Sequence, residues 1–185
     1  MMAVDKNRFD TEILEAADRY RNNPRVLKAI VQTESYYNPR AYRYEPELYK
    51  RLKAGDVFWA GKDPSVVSAS YGLCQVLFTT AWALDRPLGY KTMTPSQFQE
   101  FAENLYNPRV SLDYGSRLLR ILLDKVIAEK LDDRFEHLSR MDIALARYNG
   151  GSWKNPDEAG ALRNQKYVDK VFRAYDEIPP LRRPT

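Results

Sequence analysis

The sequence is poor in the residues that build covalent or metal frameworks: one cysteine and one histidine in 185 residues. A lone cysteine excludes an internal disulfide scaffold, and a single histidine without a cysteine cluster leaves no zinc site of the usual kind, so no metal or other cofactor is expected. No stretch of about 18 apolar residues occurs, so stable membrane insertion is not expected. The first nine residues include Asp5, Lys6, Asn7 and Arg8 and lack the apolar core of about 7–15 residues that a secretory signal needs. Accumulation in the cytoplasm is the expectation. Glycine is scarce, at 8 residues, and Gly61-Lys62-Asp63 lacks the spacing and hydroxyl residue of a phosphate-binding loop. Nucleotide chemistry is unsupported.

What the chain does contain is ordinary globular material: 44% hydrophobic, 29% charged, and long enough for one compact domain. A single domain over 1–178 is expected, followed by a flexible tail, 179–185, with three prolines and two arginines. A monomer is expected. The net charge of +4 favours an anionic partner without choosing between nucleic acid, a membrane surface and a wall polymer. A nucleic-acid binder would cluster its basic residues among aromatics, whereas these are interrupted by acids all along the chain. No nucleic-acid partner is expected.

Helix grammar dominates. Asn23-Pro24 offers a cap followed by proline at the first helical position, and Val26, Leu27, Ile30 and Val31 then keep helical spacing. The same start recurs at Thr94-Pro95, at Asn107-Pro108, and at Ser139 with Asp142 three residues on. Helices are predicted over 9–21, 24–35, 46–53, 78–85, 95–105, 108–130, 140–148 and 161–177, which makes a mainly α fold. Asp56 to Val67 is the segment where a short irregular β excursion is expected. The stretch 38–70, rich in tyrosine and proline, is the least regular, and long loops of this kind usually carry function.

Leu27, Ile30, Val31 and Glu34 stand at offsets of 0, 3, 4 and 7 and share one helical face, which puts a carboxyl on an apolar stripe. Partial burial and the negative end of the helix dipole both disfavour its charge and are expected to raise its pKa. An acid still protonated near neutral pH can donate to a leaving oxygen. Periodicity alone fits a solvated last-turn glutamate at least as well.

Three ordered motifs add to this. Glu34-Ser35, then Tyr71-Gly72-Leu73-Cys74-Gln75-Val76, then Ala144-Leu145-Ala146-Arg147-Tyr148-Asn149-Gly150-Gly151 resemble the signatures of the soluble lytic transglycosylase (SLT) family, of the glycoside hydrolase family 23 type. Asn107-Pro108 with the helix after it, and Tyr167-Val168-x-x-Val171, are similar to the family's later helices, so the likeness runs from about residue 24 to 175. It implies a lysozyme-like α-helical domain with a cleft for peptidoglycan glycan strands, and an irregular insertion between the first two motifs, because Gly72 lies 38 positions after Glu34.

The resemblance also implies a reaction. Glu34 protonates the oxygen between N-acetylmuramic acid and N-acetylglucosamine, the muramyl acetamido group assists at the anomeric carbon, and the sugar's own C6 hydroxyl closes a 1,6-anhydro ring. Goose-type lysozymes of similar fold, which use water, often carry an aspartate directly after the matching Gly-Leu-Met-Gln-Val motif. Here that position is Leu77. Glu45 is the candidate second carboxylate, or else a helix-start acid beside Pro46. Gly72 and Gln75 are candidate cleft-wall residues, the glycine permitting close backbone approach and the glutamine offering donor and acceptor, or else a turn with a surface amide. Tyr148 and Asn149 are candidates beside the reacting sugar, with a core tyrosine at a helix end as the other reading. Ser35 either hydrogen-bonds nearby or bonds its own backbone. Cys74 stands where the family usually has methionine and reads as a small buried hydrophobe. A thiol nucleophile paired with His137, and a noncatalytic wall-binding module, are the remaining alternatives. With no export signal, the family likeness suits a phage or prophage endolysin, or a virion-delivered enzyme, released to the wall by another route.

Overall fold

The computed structural model describes residues 4–85, 92–150 and 156–181. The order of elements is α1 (Asp10–Arg19), α2 (Pro24–Ser35), β1 (Tyr42–Tyr44), α3 (Pro46–Gly55), a 3-10 turn (Val57–Trp59), α4 (Pro64–Val67), β2 (Ala69–Tyr71), β3 (Val76–Leu77), α5 (Phe78–Leu84), α6 (Pro95–Asn104), α7 (Pro108–Ala128), α8 (Leu131–Arg134), α9 (Arg140–Gly150) and α10 (Gln165–Glu177). The fold is mainly α with a small sheet in the insertion. No helix among the described residues is long and apolar enough to cross a membrane.

Side-chain caps explain why the helices start where they do. Asn23 accepts from the Arg25 N–H at 2.9 Å, and Asn107 from the Arg109 N–H at 3.0 Å, each just ahead of a proline at the first helical position. Thr94 and Gln97 form a reciprocal capping box, and so do Ser139 and Asp142. Each cap satisfies amide groups that the helix itself leaves unbonded.

The contacts divide the chain into two compact units. The first is built from Glu34–Tyr114 with the N-terminal residues up to Lys6, the second from Asn7–Thr33 and Gly115 onward. In the first unit, Phe78, Trp82 and Phe98 form a stacked series, with Phe78–Trp82 centroids at 5.7 Å and Trp82–Phe98 at 5.0 Å, and Phe58, Trp59 and Phe101 close around it. In the second unit, Val26, Ala29 and Ile30 of α2 pack with Leu119, Leu122 and Val126 of α7, Ile143 to Ala146 of α9, and Val168 and Val171 of α10. Lys28 is buried in the same unit and offset by Asp10 at 2.6 Å and Asn7 at 2.9 Å.

The β excursion expected over Asp56 to Val67 is not there. Asp56 accepts from the Phe58 N–H and Asp63 from the Ser65 N–H, and these two caps, the second followed by Pro64, turn the segment into the 3-10 turn and α4. The strands lie on either side of it instead. β1 pairs antiparallel with β2, Tyr42 opposite Tyr71, Arg43 opposite Ser70 and Tyr44 opposite Ala69, and β2 pairs with β3. The final helix begins at Gln165 rather than 161, because Asp157 holds 157–161 in a closed turn by accepting from the Ala159 and Ala161 N–H groups. Gly151 of the third motif and residues 182–185 of the tail lie outside the described residues.

Candidate active site

Glu34 is the next-to-last residue of α2, and the stripe it ends is buried: Leu27, Ile30 and Val31 are fully enclosed and the Glu34 side chain is only 6% exposed. The helix stops at once. Tyr36 and Tyr37 both take left-handed backbone angles, φ 50° and 63°, and the Asn38 N–H returns to the Ser35 carbonyl at 3.1 Å. Two consecutive non-glycine residues in this region cost about 1–2 kcal/mol each, a strain that fixes the chain's exit directly beside Glu34. Ser35, half-buried, is the last helical residue.

β1 brings a cation to the carboxyl. Along Tyr42-Arg43-Tyr44-Glu45, alternation puts the tyrosines on one side and Arg43 on the other. Arg43 Nη1 stands 3.9 Å from Glu34 Oε2, while its Nε donates to Glu45 Oε1 at 2.8 Å. The guanidinium therefore bridges the candidate acid and the candidate second carboxylate. Glu45 is itself 40% exposed, precedes Pro46 at the start of α3 without a side-chain cap, and its N–H donates to the Ser68 carbonyl at 2.8 Å. Glu45 thus stands at the start of a helix and shares Arg43 with Glu34.

The second motif forms the tight turn between β2 and β3. Gly72 has φ +73°, and a Cβ there would meet the Leu105 carbonyl oxygen at 2.2 Å and Ser111 Oγ at 2.7 Å. Only glycine fits. Its N–H donates to the Ala41 carbonyl at 2.9 Å, and Ser111 Oγ accepts from the Cys74 N–H at 3.1 Å. Gln75, at φ 45° and nearly buried, turns its side-chain amide back so that Nε2 donates to the Gly72 carbonyl at 3.1 Å. The glutamine braces the turn; it is not a surface amide. Cys74 is fully buried as a small hydrophobe.

Beneath the sheet, Tyr71 meets Tyr42 and Tyr106 edge-on at 5.5 and 5.3 Å, and Arg40 lies over Tyr106 while pairing with Glu103 at 2.9 Å. Tyr71 donates to the Val66 carbonyl at 2.8 Å. Burial first, then the neighbouring hydroxyls of Tyr42 and Tyr106 and the carboxylates of Asp63 and Glu103, push the Tyr71 hydroxyl well above its ordinary value. It is a neutral donor.

Tyr148 and Asn149 belong to the second unit. Tyr148 is half-buried against that unit's core, and exposed Asn149 accepts through Oδ1 from Asn164 Nδ2 at 3.4 Å, the same nitrogen that donates to the Ala146 carbonyl at 2.6 Å. His137 pairs with the Gly160 carbonyl at 3.3 Å. Among the described residues no group of three or more His, Cys, Asp or Glu could hold a metal ion.

Sequence reasoning did not single out Arg43, although the period-two alternation around it was the available signal. It also missed Ser111, whose hydroxyl has meaning only once α7 meets the β2–β3 turn. Chemically, a nearly enclosed carboxyl beside a guanidinium can pass a proton outward and have the resulting negative charge compensated without water.

The family model of the transglycosylase SLT domain matches residues 11–169. No curated protein and no solved structure matches the chain significantly. The match spans all three motifs, from the helix that carries Glu34 through the Gly72 turn to α9 and the start of α10. The chain belongs to the SLT transglycosylase family, enzymes of lytic transglycosylase type that act on peptidoglycan.

Proposed function

We propose that this enzyme cleaves the β-1,4 bond between N-acetylmuramic acid and N-acetylglucosamine, leaving 1,6-anhydro ends, with Glu34 as its general acid and then its general base. The observation that carries the reading is the Glu34 side chain, almost enclosed at the end of an apolar helical stripe with Arg43 beside it. In the first step the Glu34 carboxyl gives its proton to the glycosidic oxygen as the C1–O bond breaks, and the muramyl acetamido oxygen bonds to C1. The Glu34 carboxylate then takes the proton of the C6 hydroxyl, whose oxygen displaces the acetamido oxygen from C1 and closes the ring. Atoms balance without water. Arg43 compensates the charge that Glu34 carries between the two steps. Most glycosidases need two carboxylates flanking the bond; substrate assistance replaces the second here, which suits a Glu45 that is half-exposed and tied to Arg43.

Within the first unit, Ser35, Gly72 and Gln75 are assigned to glycan binding: Gly72 by the close backbone approach it permits, Gln75 by the amide it holds in the turn, and Ser35 by its place next to Glu34. Tyr148 and Asn149 of the second unit are assigned to glycan binding by the family motif alone. The basic balance suits an acidic wall polymer and predicts cleavage that weakens as salt rises. Mass analysis of the products from purified peptidoglycan tests the reading: anhydromuramyl ends are expected, and reducing muramyl ends would assign hydrolysis by water instead.

A further inference from the structure

The face of the sheet that carries Arg43 also carries a buried hydroxyl with nothing to bond. The register fixes which residues share that face: Tyr42 stands opposite Tyr71, Arg43 opposite Ser70, and Ser70 in turn opposite Leu77 of β3. Alternation puts Tyr42 and Tyr71 on one face, where their rings meet edge-on at 5.5 Å, and Arg43, Ser70 and Leu77 in a row on the other. From that second face the Arg43 guanidinium reaches Glu34 Oε2 at 3.9 Å. Side chains directly opposed in an antiparallel pair have Cβ atoms about 4.5–5.5 Å apart, so Ser70 is an immediate neighbour of Arg43.

Ser70 is fully enclosed, and its Oγ has no hydrogen-bond partner among the described residues. A buried donor left unbonded costs the fold its desolvation, and such groups in a folded chain call for a reason. Ser68, two residues earlier, is different: its hydroxyl donates to the Pro64 carbonyl at 2.6 Å. Of the two residues flanking Ser70 in the row, Leu77 is apolar and Arg43 can only donate, so the hydroxyl proton needs a carboxylate. Arg43 brings two within its reach. Glu45 is 40% exposed and already accepts from Arg43 Nε, whereas Glu34 is 6% exposed and enclosed as Ser70 is.

We propose that Ser70 is a positioning residue for the reaction: its hydroxyl donates to the Glu34 carboxylate once that group has given up its proton, and holds it in place to take the proton of the C6 hydroxyl. A protonated carboxyl is a weak acceptor, which leaves the hydroxyl idle at rest, and an ionised one takes a charge-assisted bond roughly twice as strong. The folded resting state carries the cost of an unbonded hydroxyl, and the charged state between the two steps gains a second donor beside Arg43.

The inference rests on the proposed role of Glu34, and two readouts keep them apart. The isotope-labelled carboxyl carbon of Glu34, assigned by its loss in Glu34→Gln, is titrated by NMR in wild type and in Ser70→Ala. Release of anhydromuramyl products from purified peptidoglycan is measured across pH for both. Losing a bond made only to the charged form raises proton affinity, so Glu34 in Ser70→Ala binds its proton about tenfold more tightly and its titration midpoint rises by about one pH unit. The alkaline limb of kcat/KM moves up with it, and kcat falls about tenfold. The urea midpoint of Ser70→Ala equals or exceeds that of wild type, because the deleted hydroxyl has no partner at rest. Ser70→Cys, nearly the same in shape but a weak donor, falls between wild type and Ser70→Ala in titration and in rate. A Glu34 titration unchanged in Ser70→Ala overturns the inference, and so does a urea midpoint below wild type, which would make the hydroxyl part of a structural bond. The titration needs no turnover and therefore tests Ser70 by itself, whereas an active Glu34→Gln would refute the proposed reaction.

Discussion

Gly72→Ala offers a stability test in which the structure sets the magnitude. At φ +73° an alanine carries the left-handed cost of about 1–2 kcal/mol, and its Cβ would stand 2.2 Å from the Leu105 carbonyl oxygen. That oxygen is backbone, so relief requires the chain after α6 to move by about 1 Å, an overpacking cost of roughly 1–3 kcal/mol. The lost freedom of the unfolded chain returns about 0.4–1 kcal/mol, leaving a net destabilisation of about 2–4 kcal/mol. Gly61 is the control. It has φ +80° but nothing within 4 Å of an added Cβ, so Gly61→Ala carries the conformational cost alone, about 0.5–1 kcal/mol net. Urea unfolding of the two variants beside wild type, with m-values compared, measures the difference. If Gly72→Ala falls within about 1 kcal/mol of Gly61→Ala, the close approach of the Leu105 carbonyl is not what requires glycine in the second motif.

Asp10→Ala leaves the Lys28 ammonium buried without its carboxylate and is expected to cost about 3 kcal/mol by chemical denaturation, with Lys28→Met costing clearly less. Lys130 holds φ 49° on the exposed link between α7 and α8, so Lys130→Gly is expected to raise the unfolding midpoint, by roughly 0.5 kcal/mol in free energy; a lower midpoint would refute the strain. Because the Tyr71 pKa is raised in the fold, the unfolded chain releases that proton first. The stabilisation is complete below about pH 10 and is lost as pH rises beyond it, by up to about 1.4 kcal/mol per unit, and Tyr71→Phe should flatten that slope in unfolding measured from pH 8 to 11. Glu45→Gln is expected to reduce turnover about tenfold by loosening Arg43, with activity still measurable; a loss as complete as that of Glu34→Gln would contradict the one-acid mechanism.

Helix starts were legible because capping is local chemistry. Asn23, Thr94, Asn107 and Ser139 each declare themselves within four residues, and all four cap as their sequences indicate. Helix ends were less so: α9 continues through Tyr148 to Gly150, and the turn held by Asp157 delays α10. The sheet was hidden for a different reason. Its strands are only two or three residues long, and Tyr42 finds its partner Tyr71 only across the segment Asp56 to Val67, where the short β excursion was expected instead. The same nonlocality concealed the site's cation. The burial of Glu34 follows from four residues on one helix, whereas Arg43 acquires its place between two carboxylates only when β1 pairs with β2. Gln75 shows the limit of motif reading, since the motif named the residue but not the turn that its amide closes.

The measurement that bears most directly on the mechanism is the rate of glycan cleavage by Glu34→Gln on purified peptidoglycan, with its folding verified by circular dichroism and thermal unfolding. The amide keeps the shape of the enclosed side chain but has no proton to give and cannot take one from the C6 hydroxyl. Wild type is expected to release anhydromuramyl products, and the folded variant to lose at least about a thousandfold of that rate. A folded Glu34→Gln enzyme that still releases these products at a rate near wild type would show that the proton donor lies elsewhere.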